Sequence, residues 1–144
     1  MQLLIGWLIL ILGGFLYLGQ VISTTNFSLA QRLGLQESPD HSDPILQRAE
    51  RYVAYWDLVV LGWFPIAGIL MILDYQYWPA IALISAGIYF DTSGREAAKI
   101  LSFRHEGVRL GTQKQQKLFF ATYFCMAGLA CLVIVYALYD IVRA

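Results

Sequence analysis

Charged residues are scarce in this chain, since Asp, Glu, Lys and Arg make up only 14% of its 144 residues. Hydrophobic residues make up 58%, so the composition is not that of a water-soluble globular protein. The ten Lys plus Arg balance the ten Asp plus Glu, and no run of basic residues occurs. This balance excludes a basic nucleic-acid-binding protein, and the 15% of aromatic residues excludes a disordered chain.

Residues with characteristic chemistry are equally scarce. The two cysteines, Cys125 and Cys131, lie in one apolar run, where a straight helix separates them too far for a disulfide. The two histidines, His41 and His105, lie outside every apolar segment, which excludes an intramembrane bis-histidine haem. Neither a metal-ligand spacing nor a catalytic motif such as HExxH, CxxC or GxSxG occurs. We therefore expect no catalytic residue, no metal and no cofactor.

Long apolar segments dominate the sequence instead. The third is the shortest and crosses a ~30 Å hydrocarbon layer only if it carries Asp91 into the interface. The sequence predicts an all-α integral membrane four-helix bundle, with residues 1–144 as a single transmembrane domain. The four predicted spans are 3–22, 52–73, 78–93 and 118–138.

The basic residues are distributed unevenly between the loops. The loops over 24–51 and 91–117 contain nine of the ten Lys and Arg residues, whereas the 74–77 turn contains none. Because cytoplasmic loops are enriched in basic residues, these two loops are predicted in the cytoplasm, with both termini outside the inner membrane. Cleavage of the first segment as a signal peptide would leave the same basic loops outside, so we expect an uncleaved first span.

Asp57 is the most unusual residue of the predicted spans. A carboxylate inside an apolar segment has to be paired, hydrated or protonated. One interpretation is functional, as a carboxylate that handles a proton or cation or that anchors a polar head group. The other is an interfacial Asp near the helix N-terminus, stabilised by the helix dipole and by Arg51 or tyrosine side chains.

A polar cluster is predicted at the cytoplasmic rim. Asp91 and Arg95 are four residues apart and can pair along one helix face. Arginines in the two basic loops are expected nearby, so the rim could bind an anionic head group or simply form a basic collar for anionic lipid. The residues of this candidate ligand site are Arg48, Arg51, Asp57, Asp91, Arg95 and Arg109.

Two further local patterns carry structural predictions. Residues 93–104 have Ala97, Ile100 and Leu101 at the spacing of one helix face, which predicts a short amphipathic cytoplasmic helix between spans 3 and 4, or a helical extension of span 3. Pro65, in the middle of span 2, leaves the carbonyl of Leu61 without its usual partner and predicts a kink there.

The layout of four spans, a long first cytoplasmic loop and a tight outer turn resembles the superfamily of membrane-associated proteins in eicosanoid and glutathione metabolism. That family has an Arg-x-x-Arg pair entering the second helix, a spacing that Arg48-Ala49-Glu50-Arg51 shares, and Arg109 corresponds to its later arginine. Tyr55 and Leu58 stand where the family has the Asn and Glu of its glutathione-binding pattern. The layout is also similar to small four-helix bacterial membrane proteins with Gly-Arg at the end of the third helix, here Gly94-Arg95, which implies no activity.

The sequence favours a structural or accessory subunit of a larger membrane assembly. Its expected partners are the lipid bilayer with its anionic head groups, other membrane-protein subunits or further copies of the chain, and no nucleic acid. A second hypothesis is a small membrane enzyme that binds an anionic thiol or lipid substrate at the cytoplasmic rim. A third is an oligomeric proton-coupled transporter that uses Asp57.

Overall fold

The computed structural model describes residues 1–143, and 81% of the chain is helical, with no strand in the described part. The predicted all-α class is therefore confirmed. The helices are α1 (Gln2–Thr25), α2 (Phe27–Arg32), α3 (Pro44–Val60), α4 (Trp63–Ile72), α5 (Trp78–His105) and α6 (Gln113–Arg143).

Three stretches are long and apolar enough to cross a membrane, namely α1, the stretch Pro44–Ile72 and α6. The predicted spans 3–22, 52–73 and 118–138 thus correspond to helical stretches of sufficient length and hydropathy to cross a membrane. The helix α5 does not meet the same standard, because its apolar part ends at Phe90 and charged residues follow from Asp91 onward.

The stretch Pro44–Ile72 is interrupted at Leu61 and Gly62, between α3 and α4. Pro65 has no N–H to donate to the Leu61 carbonyl, which instead accepts a hydrogen bond from Phe64 N at 3.2 Å. The predicted interruption at Pro65 is confirmed. The tighter turn supplies the partner that proline removes, so the carbonyl is not left unsatisfied.

The helices run alternately up and down, so that the bundle has two distinct ends. At the end that carries residues 73–77, here called the turn end, the Gln2 side chain donates to Met71 O at 2.9 Å and to Asp74 Oδ1 at 2.8 Å. The opposite end carries residues 26–43 and 106–112 and is called the loop end. Packing proceeds from α1 to α4, from α4 to α5 and from α5 to α6.

The half of the bundle nearer the turn end, here called the turn half, is tightly packed. Phe64 of α4 stacks on Tyr89 of α5 with ring centroids 4.0 Å apart, and both rings are fully buried. Ile9, Met71 and Val133 are also fully buried and extend this core to α1 and α6. This half therefore holds the helices together.

The helix α5 continues without a break to His105, so the prediction of a separate short amphipathic helix between spans 3 and 4 is wrong. The alternative, an extension of span 3, is what the structure shows. Of the predicted apolar face, Ile100 is buried but Leu101 is 55% exposed. The buried face contains Ser93 and Glu96 instead, because packing against neighbouring helices decides which side turns inward.

The two segments of the loop end are joined to each other. Ser42 and Leu110 form an antiparallel bridge, Asp43 N donates to Arg109 O, and Gly111 N donates to His41 O, both at 3.0 Å. Leu46, Ile100 and Leu110 form a second, smaller core beneath this bridge. The loop end is therefore a folded cover over the bundle.

Candidate functional site

A cavity of about 350 Å³ lies beneath this cover, between α1, α3, α5 and α6. Its α1 and α6 walls are largely apolar, with side chains such as Leu16, Phe119 and Met126. The charged lining residues come from α3, α5 and the covering segment, although Val53 and Ala54 of α3 also line the cavity. The cavity is large enough for a small organic molecule. Its polar lining includes Gln20, Glu37, Glu50, Asp57, Thr92 and Glu96.

Four carboxylates from three parts of the chain line this one cavity. Glu50 and Asp57 are two turns apart on α3, so their side chains share the face that lines the cavity. Glu96 reaches it from α5, and Glu37 reaches it from the covering segment. Each of the helices that carry them also buries apolar residues, so these carboxylates are drawn inward by the packing of their neighbours.

Lys99 compensates two of the four carboxylates. Its Nζ lies 2.6 Å from Glu50 Oε1 and also pairs with Glu96. The three side chains are only 17%, 13% and 8% exposed, in the order Lys99, Glu50 and Glu96. One lysine thus joins α3 to α5 through two carboxylates. Glu37 and Asp57 form no ion pair within residues 1–143.

Asp57 is 4% exposed, and in the described chain its Oδ1 has no hydrogen-bond partner. The interpretation of Asp57 as an interfacial residue near a helix N-terminus is wrong, because α3 begins at Pro44 and Asp57 lies in its last turn. A helix dipole disfavours a carboxylate at that end. Asp57 therefore lines the cavity and has a buried carboxylate oxygen without a partner in the described protein.

Thr92, on the α5 wall beside Asp57, is a second polar residue without a partner. Its side chain is 3% exposed, and Oγ1 makes no hydrogen bond to any of the residues described. A threonine in a helix usually bonds back to the carbonyl one turn earlier, so this buried hydroxyl lacks its usual partner. Gln20 Oε1, on the opposite wall, likewise has no partner among residues 1–143.

Glu37 belongs to the segment that covers the cavity. Gln31 Nε2 donates to Glu37 O at 2.9 Å, and Gln36 Nε2 donates to Ser23 Oγ at 3.4 Å, which hold the segment over α1. Burial raises the pKa of Glu37 from 4.5 to about 7, and the nearby Glu50 carboxylate adds to the rise. Glu37 therefore changes its charge near neutral pH.

We expect Glu37→Gln to reduce the pH dependence of stability. A carboxyl whose pKa is raised in the folded state does not lower the free energy of unfolding below about pH 4.5. The free energy of unfolding falls as the pH rises above this value, and the loss is complete above about pH 7. The full cost is about 3 kcal/mol. The variant should therefore be more stable than wild type at about pH 8 and equally stable at about pH 4, measured by unfolding in detergent.

The control for this prediction is Asp40→Asn, a change of the same kind at an exposed carboxylate of the same loop. Its stability should follow that of wild type at both pH values. A Glu37→Gln variant with an unchanged pH profile would show that Glu37 ionises as a solvated carboxylate does.

The six residues predicted for the rim do not form one cluster at the cavity. Asp57 alone of the six lines it. Arg48 and Arg51 are exposed on α3, and Arg109 is exposed in the loop, where its carbonyl takes part in the bridge. Asp91 and Arg95 do pair as predicted, with Arg95 Nε 3.5 Å from Asp91 Oδ2, but on the outside of the bundle.

Several cavity residues were not identified from the sequence. Glu50, Glu96 and Lys99 are not among the residues predicted for a ligand site. Their spacing could have indicated that they share helix faces, since Glu50 and Asp57 are seven residues apart and Glu96 and Lys99 are three apart. Helical periodicity does not say that the two polar faces meet each other.

Comparisons of the chain with family models, curated proteins and solved structures found no match. Within residues 1–143, no three His, Cys, Asp or Glu side chains are placed so that they could hold a metal ion. The four carboxylates are thus spread around the cavity walls. Such spacing suits contacts to different parts of an organic molecule.

Proposed function

We propose that this protein crosses the inner membrane four times and binds a small organic cation in the cavity at its loop end. The observation that carries the proposal is the excess of carboxylates, four against the single Lys99, in a buried site. Burying carboxylates without partners is costly, and a bound cation offsets that cost. The unpartnered oxygens of Asp57 and Thr92 would accept hydrogen bonds from its N–H groups.

A binding measurement with matched probes tests this proposal. Purified protein is titrated with butylammonium and, separately, with butyrate, which has a similar size and the opposite charge. We expect butylammonium to bind at least about tenfold more tightly, and Asp57→Asn to weaken its binding by about tenfold. Asp57→Asn should still fold, because it removes a charge that has no ion-pair partner.

The matched control is Asp91→Asn, which removes a carboxylate from the outside of the bundle and should leave butylammonium binding unchanged. Equal or tighter binding of butyrate would contradict the proposal.

Native mass spectrometry of the same samples also tests the accessory-subunit role that the sequence favours, because it reports partner chains and further copies of the chain.

The topology is a separate prediction, supported by the charge difference between the loops and by the alternating helix directions. Reporter fusions at Ser42 and Gln113 should read cytoplasmic, and a fusion at Gln76 should read external. Both loop-end segments share one end of the bundle, so Ser42 and Gln113 should agree with each other. An external signal at Gln113 would overturn the four-span topology.

The anionic-substrate enzyme has less support from this geometry. Arg48, Arg51 and Arg109, which would bind a carboxylate or phosphate, are exposed outside the cavity. The acidic lining would repel such a substrate.

Proton-coupled transport is the second candidate, favoured by the presence of both Asp57 and Glu37 in one cavity. A route across the membrane would have to pass the turn half, where Phe64, Tyr89 and Val133 are fully buried. Transport would therefore need a path between copies of the chain rather than through one.

A further inference from the structure

We infer that the ligand is a single-chain amphiphile with a primary ammonium head, and that it enters the cavity sideways from the bilayer between α1 and α6. This inference rests on the proposed function and adds to it the class of ligand and the route of entry. Three observations support it, namely an open seam between two helices, the direction of the polarity gradient and the placement of the single lysine.

The seam is the gap between the first and the last helix of the bundle. The helix pairs whose backbones approach closely within residues 1–143 include α5 with α6 and α1 with α4, and α1 with α6 is not among them. Both helices nevertheless line the cavity. Phe15 on α1 and Leu118 on α6 border it and are 73% and 57% exposed. The cavity wall is therefore incomplete on the side that faces away from α3 and α5.

This incomplete side lies at membrane depth. Phe15 belongs to α1 and Leu118 to α6, two of the stretches that are long and apolar enough to cross a bilayer. A water-soluble ligand gains nothing from an apolar entrance. An amphiphile dissolved in the bilayer reaches such an entrance without leaving the hydrocarbon layer.

The polarity gradient runs from the seam inward. Leu16 and Phe119, on the walls next to the seam, are apolar, whereas Asp57 and Glu96 lie on the walls formed by α3 and α5. A molecule that enters through the seam therefore meets apolar surface first and carboxylates last. This order fits a head group that leads and an alkyl chain that follows.

The charge of the site selects the kind of head group. Lys99 is already shared by Glu50 and Glu96, so no free cation is available to a phosphate. The carboxylates would also repel a phosphate, which disfavours phospholipids, including those that carry an amine. A primary ammonium group has three N–H donors, which suits a site whose lining includes Asp57 and Thr92, each with a side-chain oxygen that has no partner in the described residues.

The experiment compares dodecylamine, butylamine and dodecanoate on the whole protein in nanodiscs of phosphatidylcholine, with protein-free nanodiscs subtracted. Dodecylamine and butylamine share the head group, and dodecylamine and dodecanoate share the chain length. We expect dodecylamine to bind at least about tenfold more tightly than butylamine, and dodecanoate to show no saturable binding.

A variant that narrows the seam tests the route. Gly19 lines the cavity one turn beyond Phe15, and a Cβ at this position meets no atom within 4 Å, so Gly19→Leu extends a side chain into the opening from an unobstructed Cβ. We expect Gly19→Leu to slow dodecylamine association and to weaken its binding at least about tenfold, because leucine occupies the space through which the alkyl chain passes. The control is Gly14→Leu, which also has open space around its Cβ and does not line the cavity.

The outcomes separate the two proposals. Binding of butylamine with no advantage for dodecylamine, or a Gly19→Leu effect on dodecylamine no larger than that of Gly14→Leu, would overturn the lateral amphiphile and leave the cation site standing. Binding of neither amine would overturn both. Tighter binding of dodecanoate than of dodecylamine would overturn the choice of head group.

Discussion

Lys99→Met is expected to destabilise the protein by about 3–5 kcal/mol, the cost of removing one partner from a buried ion pair. The change would leave Glu50 and Glu96 facing each other across the interface of α3 and α5 without the charge between them. Methionine keeps most of the length of the lysine chain, so the loss is mainly one of charge and not of packing. The measurement is the free energy of unfolding in detergent.

Two further variants make this prediction specific. Lys114→Met removes an exposed lysine at the start of α6 and should change the unfolding free energy by less than about 0.5 kcal/mol. Adding Glu50→Gln and Glu96→Gln to Lys99→Met should recover part of the lost stability, because no buried charge is then unpaired. If Lys99→Met were as stable as Lys114→Met, the three side chains would have to be solvated.

Gly68→Val is expected to force α1 and α4 apart. A Cβ at Gly68 would lie 2.8 Å from Leu10 N and 2.9 Å from Gly6 O, and both of these are backbone atoms that no rotamer change can move. Overpacking of a close contact costs about 1–3 kcal/mol or more, and valine adds two methyl groups beyond Cβ. We expect lower yield of folded protein and a lower free energy of unfolding.

The comparison uses helical glycines that have open space where Gly68 has backbone atoms. A Cβ at Gly87 on α5 or at Gly128 on α6 meets no atom within 4 Å, so Gly87→Ala and Gly128→Ala should fit without strain. Both should be neutral or stabilising by up to about 1 kcal/mol, because alanine favours the helix over glycine. A Gly68→Val variant that unfolds like these two would mean that α1 and α4 are not in close contact.

Local features of this protein were predictable from the sequence. The apolar lengths of 3–22 and 118–138 predict helices there, and α1 and α6 contain both segments. The interruption near Pro65 follows from the missing N–H of proline, and the pair between Asp91 and Arg95 follows from their spacing on one helix. Each depends on residues at most a few turns apart, which is the range that sequence periodicity covers.

The site itself was decided by the tertiary structure. Asp57 was recognised as unusual, but its environment was misjudged, because the start of α3 at Pro44 lies in a polar stretch without an apolar pattern. Glu96 is as polar in sequence as any surface residue. Its burial follows from Lys99 beside it and from Glu50 on another helix, and no local rule says that those helices are neighbours.

The sequence alone therefore determined that this chain is helical and that it contains segments long and apolar enough to cross a membrane. Helical hydrogen bonds and the length of an apolar segment depend only on residues that are close in the sequence. The tertiary structure alone decided where the charges go. Electrostatic partners such as Glu50 and Lys99 are far apart in the chain, and the energy of burying them depends on distances that are set only when the helices pack. The carboxylate-lined cavity and its open seam between α1 and α6 both follow from that packing.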